Sequence, residues 1–430
     1  MALESQPVAE QGKSPSHPVR VWLRSLGRRV SRPRFWIALV ITCISVWFLE
    51  DWFERKVEEE EYPGVVQKVF GLTWLYQWTV TQQHFPYPRY TAVVVIDSKK
   101  QPNIPNYQKV CEQREVIAKL IRRVHTASPA VIAVDKYFAA ECPQTDSLRK
   151  AIESVTGDTP VVVGKLVDQE HPVSTKTEQR YFFGPSVPFE IQSPNFHEAV
   201  VNIDPDTRKI SFRWEVYESE KQAQKPTSTP EYRRTLPLQA SWEHPGGLLQ
   251  NNSRITSLIK DNLNPFTSFL KPDDFRPILA GDVLASSGPA ESWRQQIAGR
   301  VVLIGEIEYD GLDSHFTVEG KMSGLLLQAN YIEALLDDRV FRSNRCLDYV
   351  FGGTFLIGLE ASFVFLRWYW RALAIAGLLV SLGVVLFLIV QLLGWYIDPA
   401  PLSVIPVATK ILGILFGWAE EALLGKTSET

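Results

Sequence analysis

The sequence lacks the features that identify several common classes of protein. It has only 4 cysteines in 430 residues and no Cys-x-x-Cys pair, which argues against a zinc or thioredoxin-type site. It also lacks a strong net charge, because 45 basic and 48 acidic residues leave −3 at pH 7. No overall electrostatic field therefore favours a nucleic-acid partner.

Sequence motifs for common catalytic sites are missing as well. The chain contains no G-x-S-x-G, no H-E-x-x-H and no G-x-x-x-x-G-K-[ST] motif. Its 7 histidines are scattered, and only His315 lies in an acidic loop, where a solvated side chain is the more common case. The sequence predicts a protein that is not an enzyme.

Long apolar runs are present, and they predict four transmembrane helices. Arginines precede the first run and separate the second from the third, which predicts that both termini are cytoplasmic. A cleaved signal peptide is the alternative for the first run, but no small-residue cleavage site follows it. We expect a multi-pass protein of the inner (plasma) membrane, with these segments: a basic tail at 1–34, spans at 35–53, 347–366, 372–394 and 401–419, an extracytoplasmic domain at 54–345, and a tail at 420–430.

The region between the first two runs alternates strand and helix patterns. The segments TAVVVID at 91–97, AVIAVD at 130–135 and PVVVGK at 160–165 are typical of strands buried on both faces. The segments between these strands have apolar residues at helical spacing, and VVLIG at 301–305 is a further predicted strand. An amphipathic helix is predicted to begin at Gly324. The expected fold is α/β, with a mainly parallel extracytoplasmic sheet covered by helices.

Acidic residues follow the predicted strands. Asp97, Asp135 and Asp310 lie at or just beyond strand ends, and Asp313 shares the loop of Asp310. The carboxyl edge of a parallel sheet is where ligands bind, and neighbouring carboxylates favour a cation or an amine-bearing small molecule. The alternative is that these aspartates cap helices and turns. Magnesium accepts such oxygen ligands, but three acids do not define a metal site, and the sequence does not identify a cofactor.

Two residue pairs carry further predictions. Cys111 and Cys142 follow the first and second strands at one sheet edge, so an oxidising compartment would join them in a disulfide; two free thiols are the alternative. Glu360 and Lys410 interrupt the second and fourth spans at similar depth, and ionisable groups inside a membrane tend to pair. The alternative is that Lys410 extends alone to the membrane surface.

Several short motifs, in order, carry a resemblance to a known family. They are VVVID at 93–97, VIAVD at 131–135, NIDPDTRKI at 202–210, VVLIGEIEYDGLDSHFT at 301–317 and LQANYIEALLDDR at 327–339. With one span before the domain and three after it, the chain resembles the CHASE2 family of extracytoplasmic sensor domains over 35–418. The resemblance implies a bacterial input module ahead of a kinase, cyclase or other output domain, with an undefined ligand. Val318 departs from the family, which commonly has proline there.

The resemblance implies sensing, but the segment after the last run is too short for an output domain. The sequence therefore predicts a stand-alone receptor that acts through a separate signalling or membrane protein, with self-association expected as well. The alternative is a structural membrane subunit whose outer domain organises an assembly without sensing a ligand.

Overall fold

A computed structural model describes the chain in segments, and the structural statements below concern these residues alone. They are residues 87–96, 111–138, 142–174, 179–184, 189–203, 209–225, 227–261, 265–285, 292–307, 313–317, 320–343, 345–366 and 368–396. The chain divides into two compact units, one holding Arg55–Arg345 with Leu386–Ile397 and the other holding the remainder.

A six-stranded parallel sheet forms the centre of the larger unit, in the order β10-β1-β11-β2-β3-β6. Its strands are β1 Thr91–Ile96, β2 Val131–Asp135, β3 Val161–Lys165, β6 Phe196–Val200, β10 Ile278–Leu279 and β11 Val301–Glu306. Runs of valine and isoleucine suit strands that are buried on both faces. The predicted α/β fold with a mainly parallel sheet is confirmed.

β11 comes late in the chain but lies between β1 and β2. Leu303 is in register with Val93 on one side and with Ala133 on the other. The loop that follows β11 therefore starts beside the end of β2, although some 170 residues separate the two strands in sequence.

Helices cover both faces of the sheet. One face packs against α1 Glu112–His125, α2 Thr145–Val155, α7 Ala280–Ala285 and α8 Ser292–Ile297. The opposite face packs against α4 Leu236–Trp242, α5 Leu248–Asn251, α6 Ser253–Lys260 and α9 Gly324–Leu336. Two separate apolar cores result, one on each side of the sheet.

Three smaller sheets surround the centre. One has the order β4-β5-β7-β8, the second is the hairpin β12-β13, and the third has the order β15-β14-β9. The helix α3 Glu220–Ala223 packs beside the first of them. The strands are β4 Val167–Ser174, β5 Gln179–Phe183, β7 Arg213–Tyr217, β8 Glu231–Arg234, β9 Phe266–Thr267, β12 Ser314–Thr317, β13 Gly320–Ser323, β14 Val340–Ser343 and β15 Trp395–Tyr396.

The helix α9 differs from the prediction of an amphipathic helix. All 13 of its residues are buried, including the polar Gln328, Asn330 and Glu333. The polar residues are tolerated because each forms hydrogen bonds with another segment. Asn330, for example, accepts from the Leu270 backbone N–H at 2.7 Å and donates to its carbonyl at 3.3 Å.

The predicted disulfide is present between Cys111 and Cys142. The two Cα atoms are 5.4 Å apart, and 31 positions separate the cysteines in sequence. Cys111 immediately precedes α1, and Cys142 lies just before α2. The bond therefore ties together the starts of two helices that pack on each other.

Two long helices, α10 Arg345–Phe365 and α11 Trp368–Leu393, occupy the positions of the spans predicted at 347–366 and 372–394. Gly358 of α10 lies against Leu378 of α11, where an added Cβ would be 3.2 Å from Leu378 Cδ2. Among the described residues, no helix is long and apolar enough to cross a membrane. The spans predicted at 35–53 and 401–419 lie outside the described residues.

Candidate functional site

The carboxyl ends of β11 and β2 lie side by side, and Gly305 is in register with Asp135. A Cβ at Gly305 would lie 3.3 Å from Asp135 Cβ and 2.7 Å from Leu325 Cδ1. Glycine thus lets α9 and the end of β2 approach β11 closely. This arrangement holds Asp135 at the sheet edge where parallel α/β folds bind their ligands.

Asp135 is an acidic group in an environment that disfavours its charge. Removal from water, with a smaller effect of the nearby Asp313 charge, raises the pKa of Asp135 from 3.8 to about 7. Among the described residues, no group donates a hydrogen bond to its carboxylate or forms an ion pair with it. A cation or a hydrogen-bond donor beside the Asp135 carboxylate would offset both its removal from water and its repulsion from Asp313.

Asp313 supplies the second carboxylate. Its backbone carbonyl accepts a hydrogen bond from the Gly324 N–H at 3.0 Å, and a Cβ at Gly324 would lie only 2.7 Å from Asp313 Oδ2. The Asp313 side chain is therefore at the N-terminus of α9, where the helix dipole favours negative charge. His315 Nε2 lies 3.4 Å from Asp313 Oδ1, so a protonated His315 would add further compensation.

Ion pairs occupy the rest of this edge. Lys136, which follows Asp135, pairs with Glu306 at the end of β11. Lys165, at the end of β3, lies 3.4 Å from Glu218 and 3.7 Å from Glu198. These cations already have carboxylate partners. We use the name acid edge for Asp135 and Asp313 at the carboxyl end of the sheet.

One buried acceptor on α9 also lacks a partner among the described residues. Gln328 is 1% exposed, and its side-chain Nε2 donates to the carbonyl of Val201 at 2.7 Å. That bond fixes the amide orientation and leaves Gln328 Oε1 without a hydrogen-bond donor among the described residues. Val201 directly follows β6 and its Cγ1 lies against Gly164 of β3, so this acceptor is also near the carboxyl ends of the strands.

The structure brings together two of the four predicted ligand residues, Asp135 and Asp313. Asp97 and Asp310 lie outside the described residues, as do Lys410 and the side chain of Glu360, so these predictions stay predictions. Within the described residues, no group of three His, Cys, Asp or Glu side chains is placed to hold a metal ion.

Sequence reasoning missed the buried polar residues of α9. Gln328 and Glu333 occupy positions that an amphipathic pattern assigns to solvent. One feature of the sequence could have indicated their burial: Gln328 and Glu333 lie in a helix whose remaining residues are almost all apolar.

A separate cavity of about 1310 Å³ lies beside the edge strand β10. Tyr87 and Arg300, which precede β1 and β11, contribute to its wall, so it opens near the amino ends of those strands. Its charged lining is mixed, since Arg276 and Arg300 face it together with Asp282. Neither Asp135 nor Asp313 lines this cavity.

The fold is an α/β domain whose parallel sheet carries the acid edge at its carboxyl end. The family model of the CHASE2 domain matches residues 38–378, which is most of the chain. The protein therefore belongs to the CHASE2 family of sensor domains. No curated protein and no solved structure gives a significant match to the chain.

Proposed function

We propose that this protein is a membrane-anchored receptor whose extracytoplasmic domain binds a ligand at the acid edge through a positively charged, hydrogen-bond-donating group. The observation that carries the proposal is the apposition of Asp135 and Asp313 at the carboxyl end of a parallel sheet. Membership of a sensor-domain family supports a binding role, and the receptor has no catalytic step of its own.

The chemistry of the acid edge favours an organic ammonium over a simple metal ion. Asp135 and Asp313 are acceptors when they are ionised, and Gln328 Oε1, which has no donor among the described residues, is a further acceptor near the carboxyl ends of the strands. A primary ammonium has three donors and could bond to both carboxylates at once, whereas a metal ion would require more oxygen ligands at short range. A bound cation would also remove the repulsion between the two carboxylates.

The membrane anchor and the partner belong to the same proposal. Large apolar side chains of α11 remain exposed, including Leu373 at 63%, Val380 at 67% and Leu392 at 76%, and contact with an apolar partner or a membrane surface would remove them from water. We place the domain outside the inner membrane and both termini in the cytoplasm. The receptor then acts through a separate membrane or cytoplasmic protein, alone or as a self-assembled oligomer.

Thermal unfolding of the full chain in detergent tests the ligand chemistry. Methylammonium and the diamine putrescine, at pH 8 where Asp135 is ionised, should raise the melting temperature by several degrees, because a ligand that binds only the native state stabilises it. Tetramethylammonium, which has the same charge but no N–H donor, should give a much smaller shift, as should magnesium chloride at matched ionic strength.

The variant Asp313→Asn should abolish the ammonium response, whereas Asp158→Asn, an exposed aspartate in the turn after α2, should retain it. Equal shifts with magnesium would identify a metal site instead. If neither ammonium compound stabilises the wild-type chain, the proposed ligand chemistry is wrong and the structural-subunit alternative gains support.

A further inference from the structure

The start of β1 is held by a buried carboxylate of α9. Glu333 is 1% exposed, and its Oε1 accepts from the backbone N–H of Tyr90 at 2.7 Å and of Thr91 at 2.6 Å. The Thr91 hydroxyl donates to the same oxygen at 2.8 Å. We call these three hydrogen bonds the β1 clamp. They join residues more than 240 positions apart in sequence.

A second set of charges lies beside the β1 clamp. Asp337, in the turn after α9, is 3.7 Å from Arg89 and 3.2 Å from the nearly buried Arg339. Arg89 precedes the clamped residues, and Arg339 precedes β14, from which the chain continues into α10. The last turn of α9 thus contacts both the segment that leads into β1 and the segment that leads out of the domain.

The opposite end of α9 lies at the acid edge. Gly324, its first residue, contacts the Asp313 carboxylate, and Leu325 packs at Gly305 beside Asp135. Nine residues separate Gly324 from Glu333, which is about 14 Å of helix. A buried helix of this length moves as a rigid element, because its contacts on all sides oppose bending.

We propose that α9 transmits the state of the acid edge to the start of β1 and to β14, and that Glu333 is the positioning residue through which it does so. The proposal rests on the proposed function in one respect: ligand binding at the acid edge is what would change the state of Asp313 and start the transmission there. The coupling itself is a property of the fold. A shift of α9 at Gly324 has to move the β1 clamp with it or break the three hydrogen bonds.

Hydrogen–deuterium exchange on the full chain in detergent tests this coupling without a ligand. The perturbation is Asp313→Asn, which removes the charge at the N-terminus of α9. In the wild-type background, this substitution should change the hydrogen–deuterium exchange rate of the β14 amides, Val340–Ser343, about fivefold. With Glu333→Gln added, the effect of Asp313→Asn on β14 should be lost, while its effect on Ser314–Thr317 should persist.

Two further variants separate transmission from general loosening. Asn330→Ala removes buried hydrogen bonds of α9 to Leu270 but leaves the β1 clamp intact, so the response of β14 should survive. Thr91→Val removes one hydrogen bond of the β1 clamp with little change in side-chain shape, and it should partly reduce the response of β14 to Asp313→Asn. This variant still tests the proposal if Glu333→Gln does not fold.

A response of β14 that is unchanged in both Glu333→Gln and Thr91→Val would overturn the proposal. A response lost equally in Asn330→Ala would overturn it too, because transmission would then need only a well-packed α9. The ammonium experiment has no bearing on these outcomes, so failure of the ligand assignment and failure of the coupling are distinguishable.

Discussion

A single carboxyl group, that of Asp135, makes the stability of this domain dependent on pH. Its pKa is about 7 in the folded protein and lies at its ordinary value of 3.8 when the chain is unfolded. Between these values the folded state keeps a proton that the unfolded state has released. The free energy of unfolding therefore falls as pH rises from about 4 to about 7. Burial also raises the pKa of Glu333, which adds a contribution of the same sign.

Replacing Asp135 with asparagine isolates its part of this dependence. Asp135→Asn should have nearly wild-type stability at pH 4 and should exceed the wild type at pH 8 by up to about 4 kcal/mol, less where water screens the charge. Urea unfolding at a series of pH values measures the difference, with the exposed Asp158→Asn as the control for loss of a negative charge. A difference that stays constant from pH 4 to pH 8 would contradict the assignment.

At the same scale, the sequence predicted the position of Asp135 but not its environment. A run of β-branched residues that ends in aspartate places the carboxyl group at a strand end. Its raised pKa comes mainly from burial and to a smaller extent from Asp313, which lies 178 positions later in the chain. That proximity follows from the insertion of β11 between β1 and β2, an order that periodicity does not encode.

At the scale of elements, α9 shows why a helix pattern can mislead. An amphipathic helix has one face toward water, but the polar residues Gln328, Asn330 and Glu333 are all buried. Each instead bonds to backbone groups of a different segment: Val201, Leu270, or Tyr90 and Thr91. Partners so far away in the chain leave no local signal in the sequence. The burial of these polar side chains therefore could not be predicted from residue spacing alone.

The start of α9 gives a prediction about steric fit. Alanine at Gly324 would normally favour a helix, but here its Cβ would meet the Asp313 carboxylate. Gly324→Ala should therefore cost about 1–3 kcal/mol of stability as the loop of Asp313 is displaced. Gly157→Ala, where a Cβ meets nothing within 4 Å, is the matched control and should be close to neutral. Equal effects of both changes in urea unfolding would argue against the close contact.

The disulfide gives a second prediction at this scale. Cys111 and Cys142 close a loop of 31 positions, for which chain entropy predicts a stabilisation of about 3–4 kcal/mol. The double change Cys111→Ser and Cys142→Ser should lower the free energy of unfolding by that amount. Reduction of the wild type should reproduce the loss. Recovery of both thiols free after alkylation of non-reduced protein would show that the bond does not form.

For the whole molecule, the proposed topology places the disulfide and the acid edge in the same outer compartment. An oxidising environment would maintain the Cys111–Cys142 bond, whereas the cytoplasm would reduce it. The exposed loops of the domain should therefore be accessible from outside the cell, and the two ends of the chain should not be.

Cysteine labelling tests this arrangement in a background that carries Cys43→Ser and Cys346→Ser. With a membrane-impermeant maleimide, Asp158→Cys should be labelled in intact cells, and Ser428→Cys should be labelled only after permeabilisation. Labelling of Ser428→Cys from outside would refute the assignment of the C-terminus to the cytoplasm.

The short strand β15 has a mechanical consequence for the two long helices. The chain leaves β14, forms α10 and α11, and returns so that Arg342 N–H donates to the Gly394 carbonyl at 3.0 Å and Ser343 is in register with Tyr396. This pairing keeps the residues just before α10 and those just after α11 about one strand spacing apart. Splaying of the hairpin at this end would require breaking that pairing.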